Sequence, residues 1–263
     1  MQVTSDSLFH FTSSRKNLES ILTKKFQLSY CKEEFTIVDE TQSYHFPMVT
    51  FCDIPLSLTK DHIKKYGCYA IGLSKQWGVK NQLNPVIYVE KGSVIANDLK
   101  STMHWLDKLV DEISKVQETK TSVNGLVEAA EKMIHSNFNL LRYIKNYEGD
   151  LKRGTKPIKN YRFYDEREWR YVPAWDDKRV NPFLDEDEYK NYRGNKNSPK
   201  PLIDTVKLDF TANDIKYLIV KSNPDIPKLI RFIKAANELT SNPNEADVLA
   251  TKIITVDQLI NDF

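Results

Sequence analysis

The stretch "YDEREWRYVP", residues 164–173, decides how this sequence is read. In an extended segment successive side chains point to opposite faces. Glu166, Glu168 and Arg170 then share one face, and Arg167, Trp169 and Tyr171 share the other. The spacing predicts a strand over 164–172, anchored by its aromatic face, with two carboxylates and a guanidinium in a row behind it. Two readings of that row stand. It is a salted sheet surface, whose exposed ion pairs contribute only ~0–1 kcal/mol. Or it is a site, in which paired carboxylates hold a substrate hydroxyl and stabilise positive charge at a sugar carbon while the arginine orients a carboxylate or binds a phosphate.

Upstream, "LFHFT" (8–12) reads as a short strand, followed by Ser13 and Ser14 as helix caps for a helix with Leu18, Ile21 and Leu22 on one face. "FPMVTFCDIPL" (46–56) is a second β-like run, with a strand expected over 49–53 and the helix-like "LTKDHIKKYG" after it. "YAIGLS" and "NPVIYVEKGSVI" are further strands, separated by the turn segment "KQWGVKNQLN". Between residues 98 and 120, Leu99, Met103, Leu106, Leu109, Val110, Ile113 and Val116 recur at spacings of three and four. Residues 124–145 repeat the pattern with Leu126, Val127, Ala130, Met133, Ile134, Phe138, Leu141 and Ile144. These form a helical hairpin inserted between β-rich parts, its apolar stripes serving as core. Downstream, residues 176–201 are polar and rich in breakers, and read as one long loop. The C-terminal part reads as strand, turn, strand, helix, then a short strand and a terminal helix. The fold class is α+β, a single domain over 1–263 with a helical insertion at about 98–147.

Thirty-eight basic and 36 acidic residues among 263 give a formal charge of only +2, which opposes wholesale wrapping of nucleic acid. The run "GDLKRGTKPIKNYR" (149–162) is a local basic patch suited to phosphates, or a solvated loop. Three cysteines, Cys31, Cys52 and Cys68, lack zinc-site spacing, and no metal is expected. Their sparseness fits reduced thiols in a cytoplasm. No apolar run marks a signal peptide or a membrane span, so a soluble cytoplasmic protein is expected. Phosphate-binding GxxxxGK, GxGxxG, HExxH and GxSxG patterns are all absent. Alternation puts Leu8, His10 and Thr12 on one face of their strand, where His10 either satisfies a carbonyl or meets a ligand. In "TFCDIP", Phe51 and Ile54 fill core while Asp53 caps or turns.

Taken in order, "LFHFTSSRKNLESIL", the block from "FPMVTFCDIPLS" to "NPVIYV", and "YDEREWRYVP" resemble the bacterial abortive-infection AbiGi family. The likeness covers most of the chain and is most specific across residues 7–90 and 160–175. That family is associated with defence against phage and with an antitoxin role in a two-gene system. The same blocks more distantly resemble the ADP-ribosyltransferase fold, a split, mainly antiparallel β core with flanking helices. That resemblance implies NAD as substrate, without a metal. It implies that His10 and Thr12 bind a ribose or the nicotinamide amide, that Thr50 and Phe51 line the nicotinamide pocket, and that Asp53 and Arg170 belong to the same NAD site. Glu168 would hold the nicotinamide ribose, and Glu166 would face the acceptor, a protein or a nucleic acid. Thr50 stands where many such enzymes have Tyr or Ser, and the helical pair interrupts their usual spacing. The function implied is a transferase effector of phage defence. The alternative is a catalytically silent antitoxin or sensor that binds a cognate partner protein.

Overall fold

Alternating burial builds the first strand, β1 (Ser7–Thr12): Leu8 packs with Leu18 and Leu22 on one face, and Phe9 with Cys52 and Ile54 on the other. This is a computed structural model, and it describes residues 5–37, 40–117, 124–151, 157–194, 202–236, 238–240 and 242–262. Ser14 caps α1 (Arg15–Lys24) by accepting the Asn17 N–H at 3.2 Å, which sets Leu18 and Leu22 one turn apart over the sheet. Short β2 (Phe26–Gln27) leads to a long hairpin of β3 (Ser29–Ile37) and β4 (Glu40–Cys52). Then come α2 (Lys60–Tyr66), β5 (Tyr69–Ser74), α3 (Lys75–Lys80), β6 (Asn84–Pro85) and β7 (Ile87–Val89). The paired helices α4 (Val94–Gln117) and α5 (Asn124–Leu141) follow, and β8 (Ile144–Asn146) returns from them to pair in parallel with β7.

The chain continues through β9 (Glu148–Leu151), β10 (Ile158–Arg162) and β11 (Glu168–Tyr171) to α6 (Glu186–Gly194). It closes with β12 (Lys207–Leu208), β13 (Ile215–Val220), α7 (Ile226–Ala235), α8 (Pro243–Ala250), β14 (Ile253–Thr255) and α9 (Val256–Asn261). The main sheet has the order β14-β13-β5-β1-β4-β11-β6, with β3 added on β4. Every pairing in it is antiparallel except β13 with β14. The architecture is therefore mixed α+β and dominated by antiparallel pairing. One large apolar cluster, including Leu18, Phe26, Trp77, Leu218 and Ile233, fills one side of the sheet.

Several expectations need correction, among them the second helix of the hairpin, which ends at Leu141 and leaves Ile144 to β8. Residues 164–172 are not one strand: 163–166 form a 3-10 turn, Arg167 turns left-handed at φ 44°, and only Glu168–Tyr171 is extended. The segment "KQWGVKNQLN" is no mere turn, because Ser74 accepts the Trp77 N–H and starts α3. The long loop at 176–201 contains α6, whose start is fixed by Asp185 accepting the Asp187 and Glu188 N–H groups at 2.9 and 2.7 Å. Residues 195–201 of that stretch lie outside the described ones. The hairpin's first helix begins at Val94, ahead of the expected 98; its expected last turn at 118–120 also lies outside the described residues.

Candidate functional site

Strands β1 and β4 pair at Phe9 and Cys52 and then part. Where a further backbone bond would form, the His10 ring takes over: its Nδ1–H donates to the Thr50 carbonyl at 2.8 Å. Burial lowers the His10 pKa against the pull of that carbonyl, so the ring is neutral and Nε2 carries no proton. Its ring packs on Phe26 and Phe51, with centroids 5.2 and 5.7 Å away. The sequence allowed a carbonyl partner or a ligand for His10, and the carbonyl is present.

On the far edge of β4, β11 runs antiparallel with Glu168 opposite Cys52 and Arg170 opposite Thr50. Alternation holds here: Glu168 and Arg170 are buried, while Trp169 and Tyr171 are half-buried against the large core. The consequence is the reverse of a salted surface. Glu168 is 6% exposed and Arg170 0%. Glu166, outside the strand, is brought to the same point by the left-handed turn at Arg167. Glu166 and Glu168 therefore meet through a turn and not through the alternation of a strand.

Three carboxylates and two cations meet here. Lys145, on β8, lies 2.9 Å from Glu166 Oε2 and 2.5 Å from Glu168 Oε2. Arg170 Nε lies 2.6 Å from Glu168 Oε1, and its Nη2 lies 2.8 Å from Glu33 Oε1 on β3. The third arm, Nη1, donates to the Arg142 carbonyl at 2.8 Å. Tyr66, the last residue of α2, donates its hydroxyl to Glu166 Oε1. Gly67 follows at φ 118°, where any Cβ would run into the Thr12 carbonyl, so glycine is required for α2 to end with Tyr66 at this point. The Tyr88 hydroxyl accepts the Glu168 backbone N–H at 2.8 Å.

Burial alone would raise the Glu168 carboxyl, but the Arg170 guanidinium and Lys145 ammonium outweigh it and hold its pKa at about 2. At Glu33 burial wins over the same two cations, and the pKa is raised. Lys145 titrates well above the usual lysine range: burial would lower it, but Glu168, Glu33 and Glu166 together prevail. Such a buried network is held by mutual satisfaction, because each ion alone would lose several kcal/mol, roughly, of hydration.

Above the network opens a cleft of about 620 Å³, lined by Lys32, Glu33, Glu34, Thr50, Tyr66, Lys145, Asp150, Phe163, Glu166 and Glu168 among others. A second, smaller pocket of about 70 Å³ shares Thr50, Tyr66, Glu166 and Glu168 with it and adds His10, Phe51 and His62. Of the residues singled out in the sequence, His10, Thr50, Phe51, Glu166 and Glu168 thus come together. Three do not face this space. Thr12 accepts from Asn17 Nδ2 at 3.0 Å at the end of β1. Asp53 pairs with Lys75 at 2.8 Å and caps the Ser5 N–H at 3.0 Å. Arg170 is wholly enclosed behind Glu168. Of the basic run at 149–162, Lys152, Arg153 and Lys156 lie outside the described residues, and Lys159 pairs with Asp150.

Glu33, Tyr66, Tyr88 and Lys145 escaped the sequence reading. Nothing local in the sequence marks any of them: Lys145 follows Arg142 just beyond an apolar helix, and neither cation's pattern says that it turns inward. Among the described residues no three His, Cys, Asp or Glu side chains gather as a metal site, and no helix is long and apolar enough to cross a membrane.

Fold and site together define an antiparallel α+β protein with an enclosed ion network beneath an open cleft. Residues 24–221 match the family model described as "Putative abortive phage resistance protein AbiGi, antitoxin". The chain is also 30% identical over 240 residues to an abortive phage resistance protein AbiGi from Lactococcus lactis subsp. cremoris, covering 84% of this chain and 90% of that one. The chain belongs to the AbiGi family of abortive phage resistance proteins. No solved structure matches it.

Proposed function

We propose that the chain is the antitoxin component of an abortive-infection pair, acting in the cytoplasm by binding a cognate partner protein rather than by chemistry. The observation that carries this reading is the state of Glu168: one oxygen is held by Arg170 and the other by Lys145. A carboxylate that stabilises a developing cation must direct its field at the transition state. Here two permanent cations absorb that field. The antitoxin description of the family supports the same reading. The described lining of the cleft also carries five carboxylates, at Glu33, Glu34, Asp150, Glu166 and Glu168, against Lys32 and Lys145, which opposes the phosphates of a dinucleotide. Growth assays test the proposal. Expression of the chain alone should leave growth unchanged, and Glu168→Gln should relieve the partner's toxicity as the native chain does. Growth arrest by the chain alone, abolished by Glu168→Gln, would overturn it.

A second reading has one observation in its favour, the gathering of His10, Thr50, Phe51, Glu166 and Glu168 around adjoining pockets. In it the chain is an NAD-dependent ADP-ribosyltransferase effector: Glu168 holds the ribose, Glu166 faces the acceptor, and His10, Thr50 and Phe51 hold the nicotinamide end of NAD. Incubation with labelled NAD and lysate, then separate digestion with protease, DNase and RNase, tests it and identifies the acceptor. Label on no polymer removes it.

A further inference from the structure

The helical insertion leaves and re-enters the β core through two three-residue strands that pair with each other, β7 and β8. Each strand carries one of the clamps on Glu168. From β7, the Tyr88 hydroxyl accepts the Glu168 N–H at 2.8 Å; from β8, Lys145 reaches Glu168 Oε2 at 2.5 Å and Glu166 Oε2 at 2.9 Å. A third tie comes from the end of α5. The Arg142 carbonyl accepts from Arg170 at 2.8 Å, and the Arg142 guanidinium donates to the Pro173 carbonyl at 2.9 Å and to Asn139 Oδ1 at 2.8 Å. Around this root Val89, Ala96, Leu141 and Ile144 are buried in one apolar cluster with Phe35, Phe46 and Met48 of the long β3–β4 hairpin.

We infer that the α4–α5 insertion is a lever coupled to the cleft: shifting it withdraws Lys145 and Tyr88 from Glu168, and releasing Glu168 loosens the insertion. The inference goes beyond the antitoxin reading and does not depend on where the partner binds. The logic is one of shared parts. Lys145 bridges both carboxylates, so withdrawing it leaves Glu166 and Glu168 facing each other without the cation they share. Lys145 cannot hold its place unless β8 stays paired with β7. Any event that biases one end must therefore bias the other by an equal free energy.

Amide hydrogen exchange on the full chain, without partner or nucleotide, tests the coupling in both directions. In the first, Ala130→Gly weakens α5 at a buried position of the hairpin. Exchange at Glu168 on β11 should then accelerate at least about tenfold, while Leu218 and Ile219 in the distant β13 stay as in the native chain. In the second, Lys145→Gln, or Tyr88→Phe should the lysine variant fail to fold, should accelerate exchange over residues 138–141 of α5 by a similar factor. Lys132→Gln, which breaks only an exposed pair with Glu128, should not. Acceleration confined to α4 and α5 in the first arm, none in α5 in the second, or equal acceleration in β13 would each overturn the lever. Because no ligand enters the assay, its failure leaves the antitoxin reading standing, and a failed growth assay leaves the lever standing.

Discussion

Arg170 has three carbonyl or carboxylate partners and no exposure, so its removal takes the guanidinium from Glu168 and Glu33 at the largely buried floor of the cleft. Arg170→Met should cost about 3–5 kcal/mol in urea unfolding, the range for breaking a buried pair from one side. Arg170→Lys should recover only part, since one ammonium cannot span Glu168, Glu33 and the Arg142 carbonyl at once. The pH response follows from the signs. Glu168 is held at about 2 in the fold against an ordinary 4.5, so its contribution is present above about pH 4.5 and lost as pH falls towards 2. Glu33 is raised in the fold, so it works the other way: its contribution is full below its ordinary pKa and is lost as pH rises from there through its raised value in the fold. Below pH 4.5 stability should therefore fall less steeply in Glu168→Gln, while Glu33→Gln should remove the decline that sets in above that pH; the same change in both variants would contradict the assignment. At this scale the sequence revealed the pairing of Glu168 with Arg170, because a period of two is a local rule. It concealed Glu33 and Lys145, which arrive from strands 135 and 23 residues away from Glu168 in sequence.

The helical hairpin was legible as an element because its apolar residues recur at helical spacing, but which stripe faces inward was not. Both α4 and α5 carry more apolar residues than one face can bury. Leu106, Ile113, Ala130 and Leu141 are enclosed, whereas Trp105, Leu126, Met133 and Leu140 are more than half exposed. Met133 was expected in the core and is a correction: it lies on the outer face, 52% exposed. Leu106→Ala should therefore cost about 2–5 kcal/mol, and Met133→Ala should fall within about 0.5 kcal/mol of the native chain. Equal losses at the two positions in thermal melts would mean the helix face is assigned backwards. The helix α6 shows the opposite kind of miss. Its start signal, Asp185 followed by Glu186, Asp187 and Glu188, is a strong one, yet the density of polar residues around it masked a segment with no buried residue of its own.

For the molecule as a whole, the two functional readings differ in what a ligand must do to stability. A species that binds only the folded state raises its stability by RT ln(1 + [L]/Kd), about 2.7 kcal/mol at a hundredfold excess over Kd. Under the antitoxin reading NAD should leave the melting temperature unchanged at every concentration, because the described cleft lining is acidic and Lys145 already sits between the two carboxylates. Under the transferase reading the melting temperature should climb with the logarithm of NAD concentration. Glu168→Gln should keep that climb, since the amide still offers a hydrogen-bonding group, while transfer of label falls by about 10²–10³. Glu166→Gln should keep it too and change chiefly which polymer is labelled. The variants thus separate binding from chemistry on the same protein. A flat melting curve with NAD, together with unaltered relief of toxicity in Glu168→Gln, is the result we expect. A concentration-dependent rise accompanied by labelled product would transfer the conclusion to the enzyme, and would give the gathering of His10, Thr50, Phe51, Glu166 and Glu168 a chemical purpose.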